Sequence, residues 1–317
     1  MEACYSQAKF NVTSYDVIGL VTISLQAFAG LWINAFIVSV LVIALVRRKC
    51  LNSNEKILLF LGCSRFCYFC FVWVRSAILI FNPWLYYTRP VPRFSSAIHS
   101  FINFSNLWTS ACLSVFYCIK IVNFQHSFFT FLKAKIDRIV TQMLMGSVLL
   151  SLIISVVSYK INSDIHCDKT NATTLGNFWR LRVKMDENYV PILSIYGFGF
   201  ATTFLAVSFS ALLLLFSLWR HKRRMQANSV RNISVDAHIK AMKSILSFFF
   251  LYSINFICSF LTLVYRSRTD NPMSLLILVF QYVFPSLHSL LLIFSNPKLE
   301  KTLLRTLLWV KSKVCRR

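Results

Sequence analysis

Seven apolar runs, at about 17–46, 57–81, 95–119, 136–159, 189–219, 239–265 and 273–295, constrain this chain more than any other feature of its sequence. An α-helix rises about 1.5 Å per residue, so about 20 apolar residues cross a hydrocarbon layer about 30 Å thick. Inside that layer the backbone must satisfy its own hydrogen bonds, as a helix does. Glycine and proline number only 7 each, too few for the punctuation that frequent turns require, so the long apolar runs read as helices. Charged residues make up 14% of the chain against about 25% in soluble domains. The reading is an all-α membrane protein, a seven-transmembrane helix bundle forming one domain over 1–317. The first run is too long for a removable signal peptide and lacks a small-residue cleavage pattern. No internal repeat or pair of interrupted helices points to a secondary transporter.

Orientation follows from basic residues, because Lys and Arg near helix ends favour the cytoplasmic side. With the N-terminus outside, the inner segments hold 22 of the 34 Lys and Arg and the outer segments 10. The two others, Arg65 and Arg75, lie inside the second run. The net charge of +23 is therefore chiefly a topology signal. Its spread over four inner segments suits anionic lipid and a cytoplasmic protein partner rather than nucleic acid.

Arg65 poses the sharpest physical problem. It lies nine residues beyond Lys56, about 13 Å along the helix and near the middle of the bilayer. A charge there costs at least about 2.5–3.5 kcal/mol on an insertion scale. All 11 acidic residues fall in loops or at helix ends, so the compensating partners are neutral: Asn34, Ser289, backbone carbonyls or water. The expectation is a structural polar network joining Arg65 to Asn34 and to Ser289 of the seventh run.

Enzymatic chemistry finds no support. The six histidines, His99, His126, His166, His221, His238 and His288, are scattered over both faces, and no two share a helical turn. Neither a catalytic group nor a metal site is expected, and no cofactor is implied. A retinal Schiff base needs a lysine in the seventh run, and Leu275 to Ser295 contains none. A polytopic channel or transporter is the alternative, and it would place rows of polar residues through the membrane.

Six blocks carry a more specific signal. "GLWINAFIV" (Gly30 to Val38), "LLFLGCSRF" (Leu58 to Phe66), "LSVFYCIKIVNF" (Leu113 to Phe124), "SALLLLFSLWRHKRRMQ" (Ser210 to Gln226), "DAHIKAMKS" (Asp236 to Ser244) and "HSLLLIFSNPKL" (His288 to Leu299) occur in that order along the chain. In sequence and order they resemble helices one, two, three, five, six and seven of the type 2 bitter taste receptors, a G-protein-coupled family. The block "FYCIKIV" stands where a rhodopsin-like receptor would carry an acidic-Arg-Tyr signature. No cysteine lies near Ser95 to Phe101 to pair with Cys167, so that fold's usual staple is absent. A pairing of Cys4 with Cys167 stays open. The cysteines within the runs, Cys63, Cys67, Cys70, Cys112, Cys118 and Cys258, are expected to be small buried hydrophobes.

The resemblance implies a multi-pass receptor in the plasma membrane, N-terminus extracellular and C-terminus cytoplasmic. It would bind bitter small molecules and activate a heterotrimeric G protein through a gustducin-like α subunit of the inhibitory class. The coupling surface would comprise Lys120, His221, Arg223, Arg224, His238, Lys240 and Lys243 at the inner ends of helices three, five and six. Of four Asn-x-Ser/Thr motifs, at Asn11, Asn103, Asn171 and Asn232, only Asn171 stands clear of the membrane on the outer side, and it is the expected glycosylation acceptor. Dimerisation is left open.

The ligand site can be argued from spacing. His99 and Asn103 lie one turn apart on one face of the third run near its outer end. Asn255 on the sixth run and Gln281 on the seventh fall at comparable depth, with Ile254 and Phe256 as the apolar wall. Arg75, about 28 Å from Lys56, would sit at the outer mouth and attract anionic or carbonyl-rich ligands. By the resemblance, His99, Asn103, Asn255 and Gln281 correspond to agonist-lining positions. Family members often carry an aromatic residue where this chain has His99, which suggests a hydrogen-bonding and pH-sensitive contact there. After the seventh run, Leu303, Leu304, Leu307 and Leu308 alternate with Lys301, Arg305 and Lys311. That spacing gives a short amphipathic helix, about 297–311, lying on the inner leaflet, and Cys315 is a candidate palmitate acceptor.

Overall fold

The computed structural model describes residues 14–82, 85, 90–122, 127–161, 189–227, 233–265 and 273–314. They form helices α1 (Ser14–Arg48), α2 (Ser53–Phe81), α3 (Val91–Ile121), α4 (Ser127–Ala134), α5 (Ile136–Ile161), α6 (Tyr189–Ala227), α7 (Ile233–Tyr265), α8 (Met273–Ser295) and α9 (Pro297–Val314). The seven expected runs correspond to α1, α2, α3, α5, α6, α7 and α8. The short α4 was not foreseen from hydropathy.

Helix ends follow local chemistry. Lys49 adopts a left-handed backbone, φ 57°, and its N–H donates to the Leu45 carbonyl at 2.8 Å, which stops α1. Asn52 then opens α2, its N–H donating to the Glu55 carboxylate at 3.3 Å. Proline sits in the first turn of α3, where a missing N–H costs nothing.

α3 is the axis of the bundle. It packs against α2, α5 and α6, while α1 contacts α2 and α8, α6 contacts α7, and α7 contacts α8. Its polar residues, including Ser100, Asn106, Thr109, Ser110 and Ser114, are buried against these neighbours. Inward-facing polarity explains why α3, unlike α1, α2, α5 and α6, is not apolar enough along its length to stand out as a membrane span by itself. The described apolar stretches of α7 and α8 are shorter, Ile245–Leu261 and Val279–Ser295.

Two glycines set how closely helices approach. A Cβ on Gly30 would lie 2.4 Å from the Phe69 ring, and one on Gly199 would lie 2.6 Å from Phe104. Phe69 and Phe104 are fully buried, so their rings fill the space that the two glycines leave. At the basic end, Ile37, Leu41, Leu58, Leu113, Phe116 and Leu292 form the largest core cluster. Leu299 and Leu303 of α9 pack onto it. Leu304, Leu307, Leu308 and Trp309 remain exposed beside them, a surface that lipid headgroups and upper acyl chains can cover.

The cysteines split in two. Cys112, Cys118 and Cys258 are buried, as expected, but Cys63 and Cys67 are exposed and Cys70 is half-buried. A thiol facing lipid loses nothing, because the acyl chains are as apolar as the protein interior. Cys4, Cys167 and Cys315 lie outside the described residues.

Candidate functional site

Arg65 is 3% exposed, and its guanidinium is held by neutral groups from two other helices. Nη1 donates to Ser289 Oγ on α8 at 2.7 Å, and Nη2 donates to Ser110 Oγ on α3 at 3.2 Å. Nη2 also meets Nδ1 of His288. Hydrogen bonds from a charged donor contribute about 1.5–3 kcal/mol each, enough together to offset the insertion cost of the charge.

The direction of these bonds is forced. A guanidinium only donates, so the Ser289 hydroxyl accepts from it and donates its own hydrogen bond to Asn34 Oδ1 at 2.8 Å. The Asn34 amide then donates from Nδ2 to the Gly30 carbonyl at 2.8 Å. Asn34 thus joins Arg65 through Ser289 rather than directly. The same logic makes His288 neutral, with its proton on Nε2, because Nδ1 must accept. Asn34 and Ser289 have no exposed surface at all.

The guanidinium cluster borders a cavity. It is lined by Arg65 and Tyr68 from α2, Asn103, Asn106, Leu107 and Ser110 from α3, Leu251, Tyr252 and Asn255 from α7, and Gln281, Phe284, Pro285 and His288 from α8. Its volume of about 40 Å³ has room for about three waters at roughly 10–15 Å³ each. Asn103 and Gln281 each stand seven residues from Ser110 and His288 on their own helices, about 10 Å further from the basic end. The cavity therefore has an amide-rich upper part and a floor made by the Arg65 cluster. Pro285 interrupts the backbone ladder of α8 one turn after Gln281.

Of the residues expected to bind ligand, Asn103, Asn255 and Gln281 converge on this cavity from three helices, and His99 and Arg75 do not line it. The His99 ring lies 6.1 Å from that of Tyr68 and 6.3 Å from that of Phe71. The apolar wall is Leu107, Leu251 and Phe284. Ile254 instead packs on the Cys258, Ile277 and Phe284 cluster, and Phe256 stacks 4.4 Å from Phe204 of α6. Ser110 and His288 were missed as partners of Arg65. A sequence signal existed for His288, which precedes Ser289. None existed for Ser110, one of several serines along α3.

At the basic end, Lys120 is exposed with Nζ 5.4 Å from the Phe116 ring. Arg223 is exposed over Trp219 at 4.2 Å. His221 and Arg224 lie in the last turns of α6, and His238, Lys240 and Lys243 in the first turns of α7; the side chains of these five are not among those described. Asn171 is outside the described residues. On the same end, Lys298 donates to Glu55 Oε1 at 2.5 Å, with Arg48 4.0 Å from the same oxygen. Tyr117 donates to Asn54 at 3.1 Å, and Ser53 donates to Asp137. These bonds tie the start of α2 to α3, α5 and α9. Among the described residues, no group of three His, Cys, Asp or Glu could hold a metal ion.

Comparison with known proteins agrees with this helical architecture. Residues 12–311 match the family model described as taste receptor protein (TAS2R). The chain is 32% identical over 312 residues to taste receptor type 2 member 9 of Papio hamadryas, covering 96% of this chain and 98% of that one. Member 9 of Homo sapiens is equally similar, with the same coverage. Taste receptor type 2 member 40 of Gallus gallus is 32% identical over 298 residues, 92% of this chain and 95% of that one.

Proposed function

The chain belongs to the TAS2R taste receptor family, and from that premise we propose how it recognises its agonists and passes the signal on. It is a bitter taste receptor of the G-protein-coupled class, a multi-pass membrane protein and not an enzyme. Bitter small molecules bind in the outer half of the bundle, above the Arg65 cluster, and contact Asn103, Asn255 and Gln281. The observation that carries this reading is the convergence of those three amides from α3, α7 and α8 on one cavity. A few polar groups in an apolar wall fix the orientation of a small ligand. At about 40 Å³ the cavity is too small for such a ligand, so agonist binding separates α3 from α7 and α8, which carries the change to the basic end.

That end faces the cytoplasm, as the excess of Lys and Arg there supports. The N-terminus is extracellular, the receptor sits in the plasma membrane, and Asn171 carries the glycan. Lys120, His221, Arg223, Arg224, His238, Lys240 and Lys243 receive a gustducin-like α subunit of the inhibitory class. His99 and Arg75 act outside the cavity, on the ligand's approach.

Calcium mobilisation in cells carrying a gustducin-type chimera tests the reading, using a panel of chemically diverse bitter compounds. At least one concentration-dependent response is expected, and it is lost when Lys240 and Lys243 are both reversed to Glu at unchanged surface level. A panel without any response overturns it. Asn171→Gln should increase electrophoretic mobility to that of the glycosidase-treated receptor, and an unchanged mobility would refute the acceptor or the orientation.

A further inference from the structure

We propose that the floor of the cavity binds a small monovalent inorganic anion, of which chloride is the probe, held on Arg65 with His288 reaching it through a water. The inference rests on the cavity alone and not on the agonist reading.

The first ground is charge. Among the described residues, the groups that the guanidinium hydrogen-bonds, Ser289, Ser110 and His288, are all neutral. The acidic residues lie in loops or at helix ends, so no carboxylate from a span can reach it. A full positive charge stays in the middle of the bundle, where the low dielectric makes a counter-ion far more effective than at the surface.

The second ground is the set of donors. Arg65 Nε and His288 Nε2 are buried atoms without a hydrogen-bond partner among the described residues. Both side chains line the cavity, and both are more than nine-tenths buried. With Nδ1 accepting from Arg65, Nε2 of His288 carries a proton, so both atoms can only donate. Because Nδ1 faces the guanidinium, the Nε2–H of His288 points to the other side of its ring. Arg65 Nε therefore serves the ion and His288 Nε2 a water beside it. A fixed positive charge with donors only recognises an anion and repels a cation. Asn106 also lines the cavity, and its Oδ1 has no partner. A water that accepts from His288 Nε2 and donates to the ion and to that oxygen satisfies all three, and a volume of about 40 Å³ holds one monatomic ion with a water, since a water alone takes about 10–15 Å³.

The test uses the full-length receptor purified in detergent or nanodiscs, with no agonist present. Its melting midpoint is measured in sodium gluconate and in mixtures of gluconate with chloride or bromide, at constant sodium and ionic strength. Chloride and bromide should raise the midpoint by at least about 3 °C with saturation. Arg65→Gln should abolish the rise. His288→Phe, which keeps a ring of similar shape 4.5 Å from that of Phe248 but removes both nitrogens, should shift half-saturation to at least about fivefold higher chloride. If Arg65→Gln does not fold, the His288→Phe titration decides. Equal midpoints in chloride and gluconate overturn the proposal. So does a rise that grows without saturation, or one that His288→Phe leaves unchanged. A rise with benzoate but not with chloride assigns the floor to the acid group of a larger ligand and also overturns it.

Discussion

Arg65 on α2 donates a 2.7 Å hydrogen bond from Nη1 to the hydroxyl of Ser289 on α8, across 224 positions of sequence. Ser289 in turn donates to Asn34 on α1, so one hydroxyl connects three helices and orients an amide whose other end holds the Gly30 carbonyl.

Ser289→Ala should therefore remove two bonds and leave Arg65 Nη1 and Asn34 Oδ1 buried without them, a loss of about 1–3 kcal/mol or more. Ser110→Ala, at a single 3.2 Å bond, should cost less. Thermal unfolding of the purified receptor measures both. Combined with Asn34→Ala, the Ser289→Ala loss should be smaller than the sum of the two single losses, because the substitutions share a bond. Arg65→Leu should change signalling or surface expression, and no change in either would deny the network any role.

Gly30→Ala places a methyl 2.4 Å from the Phe69 ring. That ring is fully buried between α1 and α2, so relief requires the helices to separate. Overpacking of this kind costs about 1–3 kcal/mol, and surface expression and melting midpoint should both fall. Phe69→Leu in the same chain should restore part of the loss. Gly146→Ala on α5 meets nothing within 4 Å and should stabilise by up to about 1 kcal/mol through helix propensity.

Alanine at Asn103, Asn255 and Gln281 should raise the half-maximal agonist concentration tenfold or more at two or more of the three. A lost hydrogen bond to a buried partner costs about 1–3 kcal/mol, and about 1.4 kcal/mol is a factor of ten. His99→Ala and Arg75→Ala, outside the cavity lining, should have smaller effects. Three well-expressed variants with unchanged potency across several agonists would move the site elsewhere.

Lys298 and Glu55 pair at 2.5 Å where α9 meets the start of α2. The Glu55 side chain is 9% exposed and that of Lys298 33%, so the bond is only partly screened. Lys298→Ala should destabilise by about 1 kcal/mol. Glu55→Lys should cost more, since it faces both Arg48 and Lys298, and the exchange Glu55→Lys with Lys298→Glu should recover part of it in melting measurements.

By itself the sequence determined where the seven long helices run, though not the short α4, because a bilayer admits only long apolar segments with their own hydrogen bonds satisfied. It determined that Arg65 is a buried charge without a carboxylate, since its depth and the positions of the acidic residues can both be counted. The apolar face of α9 was legible in the spacing of its leucines for the same reason. Tertiary structure alone decided which face of each helix looks inward. Lipid and protein interior are equally apolar, so hydropathy could not tell that Cys63 and Cys67 face out while Cys112 and Cys118 face in. Nor could it choose Ser110 from the serines of α3. The rotation of each helix follows from close contacts such as Gly30 on Phe69 and Gly199 on Phe104. Those rotations turn Asn103, Asn255 and Gln281 onto the same cavity as Arg65 and His288, leave His99 beside Tyr68 and Phe71, and make the charged network the floor of the candidate ligand site.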